Sequence, residues 1–185
     1  MPGVSVQTQF PDLNKDTIYG LYTLFRNLRI PYFEKHPIVF GSNSNLSAEI
    51  QLDESLLGKA CKYNKGKPFP RYWIFGLLDP AAQMCKLSIV PDRTKKTLLP
   101  SIQKHVPNTD NQDQIISDGW KPYEDIPKLG YKHSTVIHKE EFVTADGKNT
   151  NSVESVWGQL KCWFRSMHGV VSHKFDGYLR EFEFR

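Results

Sequence analysis

Three acidic residues stand in three separate sequence contexts: Asp53 in SAEIQLDES, Asp118 in QIISDGW and Glu154 in NTNSVESVWGQLK. They are 65 and then 36 residues apart. Hard divalent cations such as Mg²⁺ prefer oxygen ligands, which Asp and Glu supply. A phosphodiester is a poor electrophile, and enzymes that cleave it place cations on the attacking and leaving oxygens. The three acids therefore predict a metal-dependent phosphodiester chemistry, provided that the fold brings them together.

Each acid also has a structural interpretation that stays open. Asp53 fits a water-exposed residue at a strand end, and Asp118 fits a turn former before Gly119. Asn151 and Glu154 have the spacing of a capping box, with Asn151 as the N-cap of a helix. The coincidence of all three acids favours a metal site, because clustered carboxylates repel one another unless cations compensate.

Basic residues are concentrated in one segment between the first acid and the next apolar run. Between Lys59 and Arg71 no acid occurs, and two aromatic residues, Tyr63 and Phe69, are interleaved, with Tyr72 directly after. The basic residues are Lys59, Lys62, Lys65, Lys67 and Arg71. A second basic group, Arg93, Lys95 and Lys96, also contains no acid. Basic side chains beside aromatics are typical of surfaces that bind a phosphate backbone and bases. A solvated loop is the alternative interpretation.

The composition indicates a globular protein. The chain has 185 residues, 39% of them apolar, with a formal net charge of +4, which suits one domain with a hydrophobic core. Its three cysteines are far apart and include no CxxC pair, which indicates reduced thiols rather than a zinc site. We find no signal peptide or membrane-spanning apolar run. We therefore expect no membrane partner and a location in the nucleus if the source is eukaryotic, otherwise in the cytoplasm.

Hydrophobic periodicity predicts a helical segment and connector over residues 1–45, followed by a domain of mixed strands and helices over 46–185. The first helix should run from Asn14 to Ile30, stop at Pro31 and dock through an apolar stripe. That stripe comprises Ile18, Leu21, Tyr22, Phe25 and Leu28. The predicted strands are Leu46 to Asp53, Arg71 to Leu78, Met84 to Val90, Asp113 to Asp118 and Tyr131 to His138. The remaining predicted helices are Thr94 to His105 and Asn151 to Met167.

The last of these helices is amphipathic. Its apolar stripe comprises Val153, Val156, Trp157, Leu160, Phe164 and Met167. Glu154, Lys161 and Arg165 line up along the flank of this stripe. Because Glu154 and Lys161 are two turns apart, they face the same way, so a carboxylate could hold a metal ion while the cations contact a phosphate. Glu54 follows Asp53 and should point to the opposite side of the strand.

Several ordered blocks resemble the catalytic domain of Merlin-type DDE transposases and their bacterial insertion-sequence relatives. The blocks are LDESLLGKACKYNKGK, RYWIFGLLD, IVPDRTKKTLLPSIQKHV, IISDGWKPYEDI, GYKHSTVIHKEEFV and NTNSVESVWGQLKCWFR. The resemblance covers the chain from about Glu49 onward. It implies an α/β RNase H-like fold, with a mixed five-stranded sheet flanked by helices, and Mg²⁺-dependent DNA cleavage and strand transfer, with Mn²⁺ as a substitute.

The resemblance also implies roles for individual residues. Asp53, Asp118 and Glu154 match the three catalytic, metal-binding acids of the family, and Lys161 matches the basic residue after the third acid. Some relatives carry Asn at the third position, so Asn151 stays an alternative ligand. The expected partner is duplex DNA, as transposon ends and target, with a homodimer left open. Two other functions stay open: a catalytically inactive DNA-binding protein derived from a transposase, and a general RNase H-like nuclease.

Overall fold

The computed structural model describes residues 8–41, 48–58, 71–107, 114–136, 151–167 and 172–184. Contacts divide the chain into two compact units. One unit is Ile38–Gln159, and the other combines Met1–Pro37 with Leu160–Arg185. This division differs from the predicted boundary at residue 45, because the N-terminal helix makes its contacts with C-terminal residues. The two units are described separately below.

The described strands of the first unit form a single mixed sheet. They are β1 (Glu49–Leu57), β2 (Tyr72–Asp79), β3 (Met84–Val90), β4 (Gln114–Asp118) and β5 (Lys132–Val136). Their order across the sheet is β3-β2-β1-β4-β5. β1 pairs antiparallel with β2, and β2 pairs antiparallel with β3. β1 and β4 are parallel, as are β4 and β5. This is the five-stranded arrangement of the RNase H-like fold, so the predicted fold class is confirmed.

β1 is the central strand, and it is longer than predicted. The prediction ended this strand at Asp53, but β1 continues to Leu57, and Asp53 lies within it. The strand continues because residues Gln51 through Leu57 all pair with β2, so the backbone groups of the polar Asp-Glu-Ser run are satisfied in the ladder. The prediction that Asp53 ends its strand is therefore wrong.

One face of the sheet carries the main hydrophobic core. The even-numbered β1 residues Ile50 and Leu52 are fully buried there with Phe75 and Leu77 of β2. Helix α2 (Lys95–His105) contributes further core residues, Leu98 and Ile102, as predicted from their helical spacing. The 3₁₀ helices Lys121–Asp125 and Pro127–Leu129 follow β4.

Helix α3 (Asn151–Ser166) contacts the other face of the sheet through the part that belongs to this unit, residues 151–159. Its backbone N–H at Val153 donates to Gln51 Oε1 at 3.0 Å, and its Trp157 ring contacts the sheet at Gly76. The alternation of β1 indicated that Gln51 and Asp53 share a polar face. That face is not left to solvent, because α3 packs on it and buries Gln51.

The second unit contains helices α1 (Lys15–Lys35) and α4 (Phe175–Phe184) with the 3₁₀ helix Ser172–Lys174. The Asn14 side chain caps α1 by accepting from the Asp16 N–H. The prediction that Pro31 stops this helix is wrong. Pro31 removes one helical N–H, but α1 continues one turn further, where the Tyr32 and Phe33 rings make edge-to-face contacts with Phe184.

The buried face of α1 also differs from the predicted apolar stripe. Ile18 is buried as predicted, but Leu21, Phe25 and Leu28 are exposed. Arg26 is buried instead: its Nε donates to Glu181 at 2.9 Å, and its guanidinium lies 3.7 Å from the Tyr178 ring centre. A buried ion pair on α1 and α4 therefore decides which face of α1 is covered. Within the described residues, no helix has the length and apolar character to cross a membrane.

Gly76 allows the close approach of Trp157 to β2. A Cβ at residue 76 would lie 2.7 Å from two carbons of the Trp157 ring, which is closer than packed carbon atoms approach. Gly76→Ala should therefore lower the free energy of unfolding by about 1 to 3 kcal/mol, the usual cost of overpacking. Urea unfolding monitored by Trp fluorescence measures this.

Gly158→Ala is the matched control, since a Cβ there meets nothing within 4 Å. It lies in α3 beside Trp157 and should raise the stability by up to about 1 kcal/mol through helix propensity. If Gly76→Ala were as stable as the wild type, the contact between Trp157 and the sheet would not be as tight as described.

Candidate active site

The three acids lie on three different elements, and two of them, Asp53 and Asp118, follow the end of the ladder between β1 and β4. Asp53 is on β1, Asp118 is the last residue of β4, and Glu154 is in the first turn of α3. β1 and β4 are neighbours, and their last paired residues are Gln51 and Ile116. Asp53 lies two residues after Gln51, and Asp118 lies two residues after Ile116. The structure therefore places the two aspartates at matching positions on adjacent parallel strands.

Asp118 and Glu154 both lie near enough to Asp53 for their charges to act on its carboxyl. Burial raises the pKa of the Asp53 carboxyl above its ordinary value. A hydrogen bond from Trp157 Nε1 to Asp53 Oδ2, 2.8 Å long, acts against this rise, while the charges of Asp118 and Glu154 add to it. Because repulsion among carboxylates is what a bound cation would relieve, this pattern fits a cation site.

Asp118 is held at the end of β4 by a local network. Its Oδ1 accepts from the Trp120 N–H at 3.0 Å, so the predicted turn-forming role is present. The fully buried Ser117 hydroxyl donates to the Asp118 carbonyl oxygen and lies 2.9 Å from His133 Nε2. These contacts fix the strand end from which the Asp118 carboxylate projects.

Glu54 is a fourth acid in this region and was not predicted as part of the site. It lies on the opposite face of β1 from Asp53, where the Tyr123 hydroxyl donates to its Oε1. Burial raises the pKa of Glu54 to about 7, and the charges of Asp53 and Asp118 contribute to that rise. One sequence signal could have identified it: Glu54 continues the buried apolar series Ile50 and Leu52, where an acid must find a partner.

Arg93 is placed beside these acids by two tryptophans. Its guanidinium lies 3.9 Å from the Trp73 ring centre and 4.8 Å from the Trp120 ring centre. Trp73 pairs with Leu56 and therefore shares the Glu54 face of the sheet, and the Arg93 charge counteracts part of the rise that burial causes in the Glu54 pKa. Trp120 is 40% exposed, which leaves an aromatic surface directly after Asp118.

The predicted DNA-binding residues are placed only in part. Arg71 is exposed immediately before β2. The predicted contacts Lys59, Lys62, Lys65 and Lys67 lie outside the described residues. Lys161 and Arg165 are on the part of α3 that belongs to the second unit, where Lys161 is half-buried and Arg165 is exposed.

The acids suit a hard divalent cation by donor type and charge. Among the residues that the structure describes, however, no three His, Cys, Asp or Glu side chains are grouped closely enough to hold a metal ion. Asn151, the alternative third ligand, is the first residue of α3 and is exposed.

The pKa of Glu54 predicts how the stability of the metal-free protein depends on pH. The folded pKa, about 7, lies above the ordinary value of 4.5. Between these two pH values the unfolded chain releases a proton that the folded chain keeps. The contribution of Glu54 to the free energy of unfolding is therefore fully present below pH 4.5 and is lost as the pH rises to 7. Glu54→Gln should flatten this decline by up to about 1.4 kcal/mol per pH unit.

Urea unfolding at a series of pH values measures the slope. Glu124→Gln, at an exposed position in the 3₁₀ helix after β4, is the control, and its slope should equal that of the wild type. A Glu54→Gln protein with the wild-type slope would contradict the burial of this carboxyl.

Two solved structures resemble the chain distantly. The HTLV-2 integrase catalytic core domain in complex with magnesium is 16% identical, with a TM-score of 0.42 and coverage of 76% of this chain and 85% of that one. The catalytic core domain of BIV integrase is 14% identical, with a TM-score of 0.47 and coverage of 72% and 80%. At these TM-scores, neither likeness supports a conclusion about the site.

Sequence relatives are more informative. An uncharacterized transposase-like protein of Haemophilus influenzae is 27% identical over 99 residues, which are 52% of this chain and 76% of that protein. A family model described as the ISXO2-like transposase domain matches residues 45–185. That match spans well over half of the chain and includes all three acids. The chain therefore belongs to the ISXO2-like transposase family.

Proposed function

We propose that this chain is a DDE-type transposase domain that cleaves DNA strands and transfers them with the help of Mg²⁺. The observation that carries the proposal is the buried Asp53 carboxyl, whose pKa is raised by burial and further by the charges of Asp118 and Glu154. The family match over residues 45–185 supports it. Within the family's wider relatives, the quoted sequence blocks favour the Merlin-type group.

In the proposed site, Asp53, Asp118 and Glu154 would hold the divalent ions, with Asn151 as the alternative to Glu154. Bound ions would supply Lewis-acid stabilisation of the attacking and leaving oxygens of a phosphodiester. Trp157 orients Asp53 by donating to one carboxylate oxygen, and the Trp120 backbone N–H orients Asp118 in the same way. Both acids are thus held by donors that leave further oxygen lone pairs for a cation.

Duplex DNA is the proposed partner, as transposon ends and as target. Lys161, Arg165 and the basic segment from Lys59 to Arg71 would contact its phosphates, which positions DNA without reading its sequence. A homodimer and the assignment of residues 46–185 as the catalytic domain belong to the same proposal.

A catalytically inactive DNA-binding protein is the second candidate function. It is favoured by the spacing of the acidic side chains, since no three of the described ones are grouped closely enough to hold a metal ion. A plasmid-nicking assay separates the two candidates, because a transposase nicks DNA when a divalent ion is present and an inactive DNA-binding protein does not. Competition among duplex DNA, RNA–DNA hybrid and RNA in the same assay tests for a general RNase H-like nuclease.

The ligand assignment predicts the effect of neutralising each acid. Asp53→Asn, Asp118→Asn and Glu154→Gln should each reduce Mg²⁺-dependent nicking of plasmid DNA by more than about a hundredfold, the upper range for losing only a supporting group. Far-UV circular dichroism should show that each variant stays folded. Asn151→Ala should retain activity if Glu154 is the third ligand.

Asp125→Asn is the matched control for these variants. Asp125 pairs with Lys95 and Lys128 rather than with other acids, so its loss should leave nicking unchanged. Wild-type nicking by the Asp118→Asn protein would show that the ligand assignment is wrong.

The basic segment predicts a salt-dependent affinity for duplex DNA. If Lys62, Lys65 and Lys67 contact phosphates, replacing all three with Ala should reduce the slope of log affinity against log salt by up to about 0.9 per contact. Fluorescence anisotropy with a labelled duplex at several salt concentrations measures the slope. Affinity should vary little with DNA sequence.

A variant with Lys15, Lys35 and Lys174 replaced by Ala is the control, because it loses the same charge from exposed positions elsewhere. It should keep the wild-type slope. Equal slopes for the two triple variants would support the interpretation of the segment from Lys59 to Arg71 as a solvated loop.

A further inference from the structure

The ladder between β1 and β4 ends before it reaches the acids. Its paired residues are Glu49 with Gln114, Ile50 with Ile115 and Gln51 with Ile116. β1 continues along β2 past this point, and β4 continues along β5 as far as Asp118. At Asp53, β1 is therefore paired with β2 and not with β4. At Asp118, β4 is paired with β5 and not with β1. The spacing of the two aspartates needs another constraint.

One side-chain contact supplies such a constraint. After Asp118 the chain turns into the 3₁₀ helix Lys121–Asp125. Its Tyr123 is 1% exposed and packs within the core, and its hydroxyl donates to Glu54 Oε1. This hydrogen bond joins the residue after Asp53 to a residue five positions after Asp118.

The contact persists whether or not Glu54 carries a charge. Burial raises the pKa of the Tyr123 hydroxyl well above its ordinary value, so this group remains a donor. Oε1 of Glu54 accepts the hydrogen bond in either protonation state of the carboxyl. Since Tyr123 is locked in the core, it cannot follow a shift of β1 without breaking the bond.

We propose that the Tyr123–Glu54 hydrogen bond sets the spacing between Asp53 and Asp118, and thereby the affinity of the site for a divalent ion. Tyr123 and Glu54 are then positioning residues, and neither is a ligand. This inference rests on the proposed function, which supplies the need for a metal ion between the two aspartates. It assigns a role to the acid that lies on the other face of β1.

Melting temperatures measured over a series of Mn²⁺ concentrations test the proposal. An ion that binds the native protein stabilises it according to its concentration relative to Kd, so the curve reports the apparent Kd without any turnover. Tyr123→Phe keeps the ring in the core and removes the hydroxyl. We expect the apparent Kd for Mn²⁺ to rise by about tenfold, the lower range for losing a group that orients a ligand.

Tyr131→Phe is the matched control. The Tyr131 hydroxyl is also part of a buried hydrogen bond, to the Val106 carbonyl at 2.7 Å, but Tyr131 precedes β5, at the opposite end of the sheet from Asp118. This variant should melt at a lower temperature without metal and keep the wild-type apparent Kd. A rise in Kd equal to that of Tyr123→Phe would overturn the proposal in favour of general destabilisation.

Two substitutions of Glu54 separate its hydrogen bond from its charge. Glu54→Gln keeps the acceptor oxygen and removes the charge, and its apparent Kd should stay within about threefold of the wild type, which is under half a power of ten in Kd. Glu54→Met removes both and should weaken Mn²⁺ binding as Tyr123→Phe does. Because Glu54→Met also breaks the hydrogen bond, it tests the proposal even if the Tyr123→Phe protein does not fold. Weakening by Glu54→Gln equal to that by Glu54→Met would assign the effect to charge and overturn the proposal.

Nicking assays add a kinetic readout. At saturating Mn²⁺ the Tyr123→Phe protein should approach the wild-type rate, whereas at low Mn²⁺ it should be slower. If the wild type responds to Mn²⁺ and Tyr123→Phe responds identically, only the positioning role fails. If the wild type itself does not respond to Mn²⁺, the proposed function fails and this inference fails with it.

Discussion

The packing of Trp157 against Gly76 is the constraint on which the candidate site depends. A side chain at residue 76 would overlap the indole ring, and the ring must lie there for its Nε1 to reach the Asp53 carboxylate. The same packing holds the start of α3 on β1, where the Val153 N–H bonds Gln51. Because Glu154 follows Val153 directly, the position of the third acid relative to the first is set by how closely the helix approaches the sheet.

Clustered acids make this end of the sheet a source of instability without a cation. Burial and mutual repulsion raise the pKa values of Asp53 and Glu54, so the folded protein holds protons that the unfolded chain would release. Hydrogen bonds from Trp157 and Tyr123 offset part of this cost, and Arg93 offsets part of it at Glu54. Acids held at such a cost in stability are common at functional sites.

Buried polar residues explain where the predictions from periodicity failed. In α1 the apolar residues Phe25 and Leu28 are exposed while Arg26 is buried, because the Arg26 guanidinium finds Glu181 and the Tyr178 ring on α4. In β1 the prediction ended the strand at the polar run that begins with Asp53, yet that run stays in the ladder. Hydrophobicity patterns score each residue by its own side chain, whereas these positions are decided by partners distant in sequence.

The sequence alone predicted the five described strands, three of the described α-helices and the mixed sheet, because period-two and helical patterns depend on neighbouring residues. It did not predict the helix Phe175–Phe184, and it nominated the three acids as a site. Family blocks specified the same acids independently. Tertiary structure alone decided which face of each element is covered, since that depends on long-range contacts such as Trp157 on Gly76. It also revealed Glu54: strand alternation correctly turned this side chain away from Asp53, but only the packing of Tyr123 shows that its carboxylate is buried, hydrogen-bonded and coupled to the acids on the other face.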